Sequence, residues 1–219
     1  SSRTGAGIDG LLPPADSETI ALLGASGVGK STLVNRLIGE ERQQTGVVRE
    51  GDQRGRHVTI AAELVRIPGG GWLIDTPGLP DFIGQSLPAL EAVETAAIVI
   101  NAAAGIEPMA RRMMEHAAER QLDRLIIVSK IDAEGANLPA LLAEIQEAFG
   151  KECLPLNLPD AGATKVVDCF YNREGHSDFG AVADAHRALV EQVVEVDGAF
   201  VDRYLNDGDI DAAELHAPL

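Results

Sequence analysis

One segment constrains the fold of this chain more than any other, the glycine-rich run Gly-Ala-Ser-Gly-Val-Gly-Lys-Ser at positions 24–31. It follows the apolar stretch 19–23 and opens the helical pattern of residues 30–39. A G-x-x-x-x-G-K-S loop between a strand and a helix turns its backbone N–H groups toward phosphates. The sequence therefore predicts a nucleoside triphosphate site, the alternative being a plain glycine turn before a helix. The residues expected to contact the nucleotide here are Gly24, Ala25, Ser26, Gly27, Val28, Gly29, Lys30, Ser31 and Thr32.

Short apolar runs alternate with helical patterns along most of the chain. This alternation predicts an α/β fold of the P-loop NTPase type, with a mostly parallel sheet flanked by helices. The unbroken apolar runs 98–100 and 125–128 indicate central strands. The predicted strands are 19–23, 62–67, 71–75, 96–101, 125–129, 153–158 and 165–170, and the predicted helices are 30–39, 86–95, 108–120, 138–149 and 182–196.

The rhythm of strands and helices loosens after residue 150. We therefore expect a nucleotide-binding domain over residues 1–150. Over residues 151–219 we expect a small inserted subdomain and C-terminal helices that pack on the nucleotide-binding domain. The acidic end, from Asp202 onward, is expected to lie on the surface or to fray. Two further sets of side chains carry no motif: Cys153 and Cys169 are expected to be buried thiols, and His116, His176, His186 and His216 to be scattered surface residues.

The charge of the chain limits its partners. Its 34 acidic and 18 basic residues give a formal net charge of −16, whereas binding to nucleic acid through bulk electrostatics requires a basic protein. We therefore expect no autonomous nucleic-acid binding, although a local patch could dock on a ribonucleoprotein. No apolar run approaches the ~20 residues of a membrane span, and no secretion signal opens the chain. The expectation is a cytoplasmic protein without a membrane partner.

A second motif, Asp75-Thr76-Pro77-Gly78, ends the predicted strand 71–75. A carboxylate at this place can hold Mg²⁺, and the N–H of a following glycine can bond the γ-phosphate. Asp75 and Ser31 are therefore the expected metal ligands, and the Gly78 backbone is an expected catalytic donor. Lys30 is expected to stabilise charge on the transferring phosphoryl group. A proline turn without chemistry is the alternative for this motif.

Residues 55–59, Gly-Arg-His-Val-Thr, lie between these two motifs, where the switch loop of a guanine-nucleotide protein belongs. Such a loop supplies one threonine that reaches Mg²⁺ and the γ-phosphate. Thr59 is the expected residue, with Thr45 and Thr76 as rivals. His57 could act near the attacking water, but an uninvolved loop histidine is the alternative.

The run Ser129-Lys130-Ile131-Asp132 follows the apolar strand 125–128 and indicates a guanine-selective site. In the pattern [NT]-K-x-D the aspartate accepts hydrogen bonds from guanine N1 and N2, which adenine cannot supply. Ser129 departs from the expected Asn or Thr, and a strand-end turn with solvated Lys130 and Asp132 is the alternative. The opening residues Ser1, Ser2 and Arg3 look like the loop that covers guanine O6, or else form a disordered terminus.

Two families resemble different parts of the chain. Residues 20–79 resemble the ribosome small-subunit-dependent (RsgA-type) GTPases, circularly permuted assembly factors, through G-A-S-G-V-G-K-S-T-L-V-N-R-L-I-G and W-L-I-D-T-P-G-L. Residues 81–219 resemble the G domain of elongation factor G and its paralogues, through S-K-I-D-A-E-G-A-N and V-V-E-V-D-G-A-F-V-D-R-Y-L. The order of motifs matches neither family. The chain therefore resembles a circularly permuted chimera with a small elongation-factor-G-like insertion.

These resemblances imply Mg²⁺-dependent binding of GTP and GDP and GTP hydrolysis stimulated by the ribosome or a ribosomal subunit. Many translational GTPases carry a water-positioning histidine where this chain has Leu79, so the intrinsic rate is expected to be low. Two other functions stay open: a non-catalytic GTP/GDP-binding module, natural or engineered, and a P-loop ATPase or kinase.

Overall fold

A computed structural model of the chain describes residues 18–39, 62–68, 70–76, 88, 90–195, 198–207 and 210. The chain divides into two compact units, Ser1–Glu144 (unit 1) and Ile145–Leu219 (unit 2). No helix in the described part is long and apolar enough to cross a membrane. The described elements are, in order, β1 Thr19–Leu23, α1 Lys30–Ile38, β2 Glu63–Arg66, β3 Trp72–Asp75, a 3₁₀ turn Leu90–Ala92, β4 Thr95–Asn101, α2 Pro108–Glu119, β5 Asp123–Ser129, α3 Leu138–Phe149, β6 Asn157–Asp160, β7 Lys165–Asp168, α4 Val182–Val194 and α5 Gly198–Asp207.

Unit 1 contains a five-stranded sheet in the order β2-β3-β1-β4-β5. β1 pairs in parallel with β3 and β4, and β4 pairs in parallel with β5, whereas β2 runs antiparallel to β3. The four parallel strands end at one edge of the sheet, where ligands bind in open α/β folds. Leu22 lies opposite Asp75 there, and Asn101 lies opposite Ser129. This arrangement confirms the predicted α/β fold of a P-loop NTPase.

Helices cover the sheet because its strands are apolar on both faces. On one face, Leu33 and Val34 of α1 pack with Leu22, Leu73 and Val99. α2 contacts β4 and β5, and its buried side chains are Ala110, Met113, Met114 and Ala117. β4 is buried from Ala96 to Ile100, as expected for a central strand whose neighbouring residues point to opposite faces.

The prediction of a central strand is wrong for β5 in the described part of the sheet. β5 is the last strand in the order, and its apolar residues from Leu125 to Val128 are only half-buried. The predicted helix 86–95 is also wrong over residues 90–95, although residue 88 is helical. A 3₁₀ turn covers Leu90–Ala92, and Thr95 already pairs with Ile20 and Asp123. Pairing with two strands overrides the helical propensity of this segment.

Unit 2 contains an antiparallel two-stranded sheet of β6 and β7. Its apolar cluster joins Leu158 of β6 and Cys169 to α4 through Leu189 and Val190. The acidic end does not fray where it is described, because α5 packs on this cluster and Ile210 is buried. Neither cysteine forms a disulfide, and Cys169 is buried whereas Cys153 is half-buried.

Candidate functional site

The glycine-rich run forms the connection between β1, which ends at Leu23, and α1, which begins at Lys30. Gly29 precedes the helix in the left-handed conformation (φ +109°), and no side-chain hydrogen bond caps the helix there. The N–H groups of the first helical turn have no intrahelical carbonyl partners. They and the positive end of the helix dipole favour an anion at this place. The local geometry is therefore that of a phosphate-binding loop.

Lys30 lies inside the curve of this loop, with only 6% of its surface exposed. Its Nζ donates to the carbonyl oxygens of Gly24 at 2.7 Å and Ala25 at 3.0 Å. Burial lowers the pKa of Lys30 to about 8, and the attraction of Asp75 partly opposes this shift. The ammonium is thus held by neutral carbonyls, in an environment that an anionic phosphate would make more favourable for its charge.

Two oxygen side chains meet next to the loop, as the sequence predicts for the metal ligands. Asp75 at the end of β3 is fully buried, and the Ser31 hydroxyl donates to its Oδ2 at 3.5 Å. A carboxylate and a hydroxyl are hard oxygen donors, which fit Mg²⁺. The rival Thr76 is buried and donates its hydroxyl to the Leu22 carbonyl at 2.6 Å. That bond ties the end of β3 to β1, so the structure gives Thr76 a structural contact.

The S-K-I-D segment contacts the phosphate loop directly. The Ser129 hydroxyl lies 2.6 Å from the Val28 carbonyl oxygen and 2.9 Å from that of Ile100. Lys130 has a left-handed backbone (φ +54°), and its Nζ donates to the Gly27 carbonyl at 2.8 Å. Asp132, two residues further along, is exposed. The base-side motif is thereby joined to the loop that would hold the phosphates.

The predicted site residues fall into two groups. Those of the loop, together with Asp75, Ser129 and Lys130, lie at the carboxyl edge of the sheet. Thr32 is exposed on the first turn of α1. The others lie outside the described residues, namely Ser1, Ser2, Arg3, Thr45, His57, Thr59, Gly78 and Leu79. The sequence analysis did not predict the hydrogen bonds of Ser129 to the loop. The position of Ser129 at the end of a predicted strand was the feature that could have indicated them.

Comparisons with known proteins match the first part of the chain to one family. The RsgA GTPase family matches residues 1–83. The small ribosomal subunit biogenesis GTPase RsgA of Mesorhizobium japonicum is 60% identical over 65 residues, which cover 28% of this chain and 19% of that protein. RsgA of Opitutus terrae is 51% identical over 80 residues, covering 36% of this chain and 22% of that protein.

Two further likenesses extend over nearly the whole chain. The elongation factor G-like protein of Mycobacterium tuberculosis is 28% identical over 228 residues, covering 92% of this chain and 32% of that protein. A crystal structure of a protein from Thermus thermophilus has a TM-score of 0.73 and 25% identity, covering 94% of this chain and 35% of that one. The chain thus spans about a fifth to a third of the curated proteins it matches. The chain has the fold and the phosphate loop of a P-loop NTPase, and it resembles the RsgA GTPases over residues 1–83 and the elongation factor G-like protein over most of its length.

Proposed function

We propose that this chain binds GTP and GDP together with Mg²⁺ and hydrolyses GTP slowly by itself. The observation that carries this proposal is the contact between the S-K-I-D segment and the phosphate loop, Ser129 to Val28 and Lys130 to Gly27. A base-selecting aspartate, Asp132, thereby follows directly on residues that touch the phosphate loop. One nucleotide can then bind its phosphates on the loop while its base reaches the carboxylate.

In this proposal each residue acts on charge or position. Lys30 and the loop N–H groups, with the Gly78 N–H, stabilise the charge that develops on the β,γ-bridging and γ-phosphoryl oxygens. Ser31, Asp75 and Thr59 would hold Mg²⁺, whose charge would offset that of the phosphates. Leu79 cannot orient the attacking water, and His57 is the remaining candidate for that task. Chemistry is therefore limited by the position of the water, which keeps intrinsic hydrolysis slow.

A ribosomal particle is the partner that we propose for stimulation in a cytoplasmic setting. The support comes from the RsgA relatives, which are named as small ribosomal subunit biogenesis GTPases. The net charge of −16 opposes autonomous RNA binding, so contacts would have to come from a local patch or from ribosomal protein. We also propose that the order of motifs reflects a circular permutation, in which residues 1–3 supply the guanine loop ahead of the phosphate loop.

A non-catalytic GTP/GDP-binding module is the second candidate, favoured by Leu79 at the water-positioning place. Single-turnover hydrolysis of radiolabelled GTP separates the two. Hydrolysis that rises when small ribosomal subunits are added supports the enzyme. An absence of hydrolysis with and without subunits, in a protein that binds GTP, supports the module.

The site is tested with Asp132→Asn, which is expected to change the base preference from guanine to xanthine. An amide can pair with the N1–H and O2 of xanthine, whereas it loses the double acceptor that guanine needs. We expect competition against fluorescent GDP to change from GDP-selective to XDP-selective, with ADP a poor competitor throughout. Asp123→Asn, the same change at an exposed position at the start of β5, should keep the preference for GDP. An Asp132→Asn protein that still prefers GDP would refute the assignment.

A further inference from the structure

Three side chains that the proposed function does not use lie together in unit 2. Asp160 is the last residue of β6, and His176 and Asp178 lie in the segment between β7 and α4. One ligand atom from each, a carboxylate oxygen or an imidazole nitrogen, lies within 4.8 Å of the other two. His176 is exposed, as expected of a surface residue, but it is not isolated. Residues far apart in the sequence meet here because the segment after β7 folds back against the β6–β7 hairpin. The expectation of a surface residue is wrong for His186, which is buried.

Hydrogen bonds hold this group in place. The Asp178 N–H donates to the Pro159 carbonyl at 3.1 Å, and the Ser177 hydroxyl donates to the same carbonyl at 2.8 Å. The Gly162 N–H, in the turn after β6, donates to Asp178 Oδ2 at 2.8 Å. His176 Nδ1 lies 2.7 Å from Asp160 Oδ1. The segment of residues 176–178 is thus fixed against the hairpin by backbone and side-chain bonds, which lowers the cost of organising a binding site.

The charges of the group suit a divalent cation. A metal ion on His176 Nδ1 would replace the 2.7 Å hydrogen bond to Asp160 Oδ1 with metal–ligand contacts to both side chains. Lys165 lies opposite Asp160 in the hairpin and opposes a cation, whereas Asp178 contributes a second carboxylate.

We propose that Asp160, His176 and Asp178 bind one divalent transition-metal ion of the zinc class, which fastens the segment after β7 to the β6–β7 turn. Imidazole with carboxylates suits zinc, whereas Mg²⁺ and Ca²⁺ favour oxygen ligands alone. Tetrahedral zinc with bonds of about 2.0–2.2 Å places its ligand atoms about 3.3 Å apart. The three ligand atoms, within 4.8 Å of one another, reach that spacing by small side-chain rotations. The fourth position is left to water.

The test is calorimetric titration of the nucleotide-free full chain with Zn²⁺ in excess Mg²⁺, which occupies oxygen-only sites. We expect one equivalent of Zn²⁺ to bind, and we expect His176→Gln to raise the dissociation constant for Zn²⁺ at least tenfold. Asp178→Asn should raise this dissociation constant as well. The matched control is His116→Gln, because His116 Nδ1 lies 3.1 Å from Glu119 Oε2, an imidazole–carboxylate pair outside the three-ligand group. That variant should bind Zn²⁺ as the parent does.

The proposal is overturned by three results: no stoichiometric binding by the parent, unchanged affinity in His176→Gln, or an equal loss in His116→Gln. Circular dichroism of each variant shows whether it is folded, and Asp178→Asn provides an independent ligand change should one variant fail to fold. GDP binding by the same samples is expected to be unchanged. A failure of the metal site is thereby distinguished from a failure of the GTP site.

Discussion

At the scale of single residues, Lys30 is where the requirements of the fold and of binding oppose each other most. The fold buries its side chain to 6% exposure, which lowers its pKa to about 8. Phosphate binding needs the charged form, because a neutral amine cannot attract the β- and γ-phosphates. The two loop carbonyls, on Gly24 and Ala25, are weaker partners for the ammonium than a phosphate oxygen.

We therefore predict that GDP affinity falls as pH rises through 8. The lowered pKa means that the free protein loses the Lys30 proton above this pH, so that binding must take the proton back up. The protonated fraction falls about tenfold between pH 7 and pH 9, and the dissociation constant for fluorescent GDP should rise by about the same factor. Lys30→Gln is the control, because this variant keeps every other group that titrates in this pH range, including the guanine base of the nucleotide. Equal slopes in the two proteins would contradict the assignment.

The sequence predicted which residues lie around the loop better than it predicted their partners. Lys30, Ser31 and Asp75 follow from motifs whose spacing is local. The contacts of Ser129 with Val28 and of His176 with Asp160 join residues 101 and 16 positions apart. Such contacts depend on which strands become neighbours, and a local pattern does not encode this.

At the scale of elements, the turn from β1 into the loop depends on how closely it approaches β4. A Cβ atom at Gly24 would lie 2.6 Å from the Val99 carbonyl oxygen and 3.0 Å from Val28 Cγ2. At Gly27, a Cβ atom would meet nothing within 4 Å, and only the positive φ of +77° requires glycine. Gly24 is therefore required by its close approach to β4 in addition to its positive φ of +157°, whereas Gly27 is required by its backbone conformation alone.

We predict that Gly24→Ala destabilises unit 1 more than Gly27→Ala does. The first change forces a backbone shift between β1 and β4, which typically costs about 1–3 kcal/mol, and displaces the carbonyl that holds Lys30. The second change costs about 1 kcal/mol, since alanine resists the left-handed conformation. Urea unfolding of both variants, with GDP titration of each, measures the difference. Equal destabilisation would show that the approach to Val99 does not require glycine.

Strands and helices were largely predictable, with β1 and α3 found at the predicted residues. The exceptions are explained by pairing and packing. The unbroken apolar run of β5 indicated a strand with two neighbours, yet β4 is its only partner in the described sheet. The acidic end from Asp202 onward was expected to lie on the surface or to fray, yet Asp202 belongs to α5 and Tyr204 contacts the unit 2 cluster. Charge composition alone cannot show that a short helix has one apolar side.

At the scale of the whole molecule, each unit has a hydrophobic core built from its own residues. In unit 1, Leu73 of β3 is 1% exposed and packs with α1. In unit 2, Leu189 of α4 is 6% exposed and packs with Cys169 and Phe170. The candidate nucleotide residues that are described all belong to unit 1. Ligand binding should therefore act on the stability of one unit in particular.

We predict two thermal transitions in calorimetry, of which Mg²⁺ and GDP raise only one. A ligand at a hundredfold excess over its dissociation constant stabilises the folded form by about 2.7 kcal/mol, and that gain belongs to the unit that binds it. Leu73→Ala should lower the midpoint temperature of the GDP-sensitive transition, and Leu189→Ala should lower that of the other transition. Each change is expected to reduce the free energy of unfolding of its unit by about 2–5 kcal/mol. A single transition that GDP and both variants move alike would mean that the two cores unfold as one. In that case nucleotide binding would stabilise unit 2 as strongly as unit 1, and the division into units would have no thermodynamic counterpart.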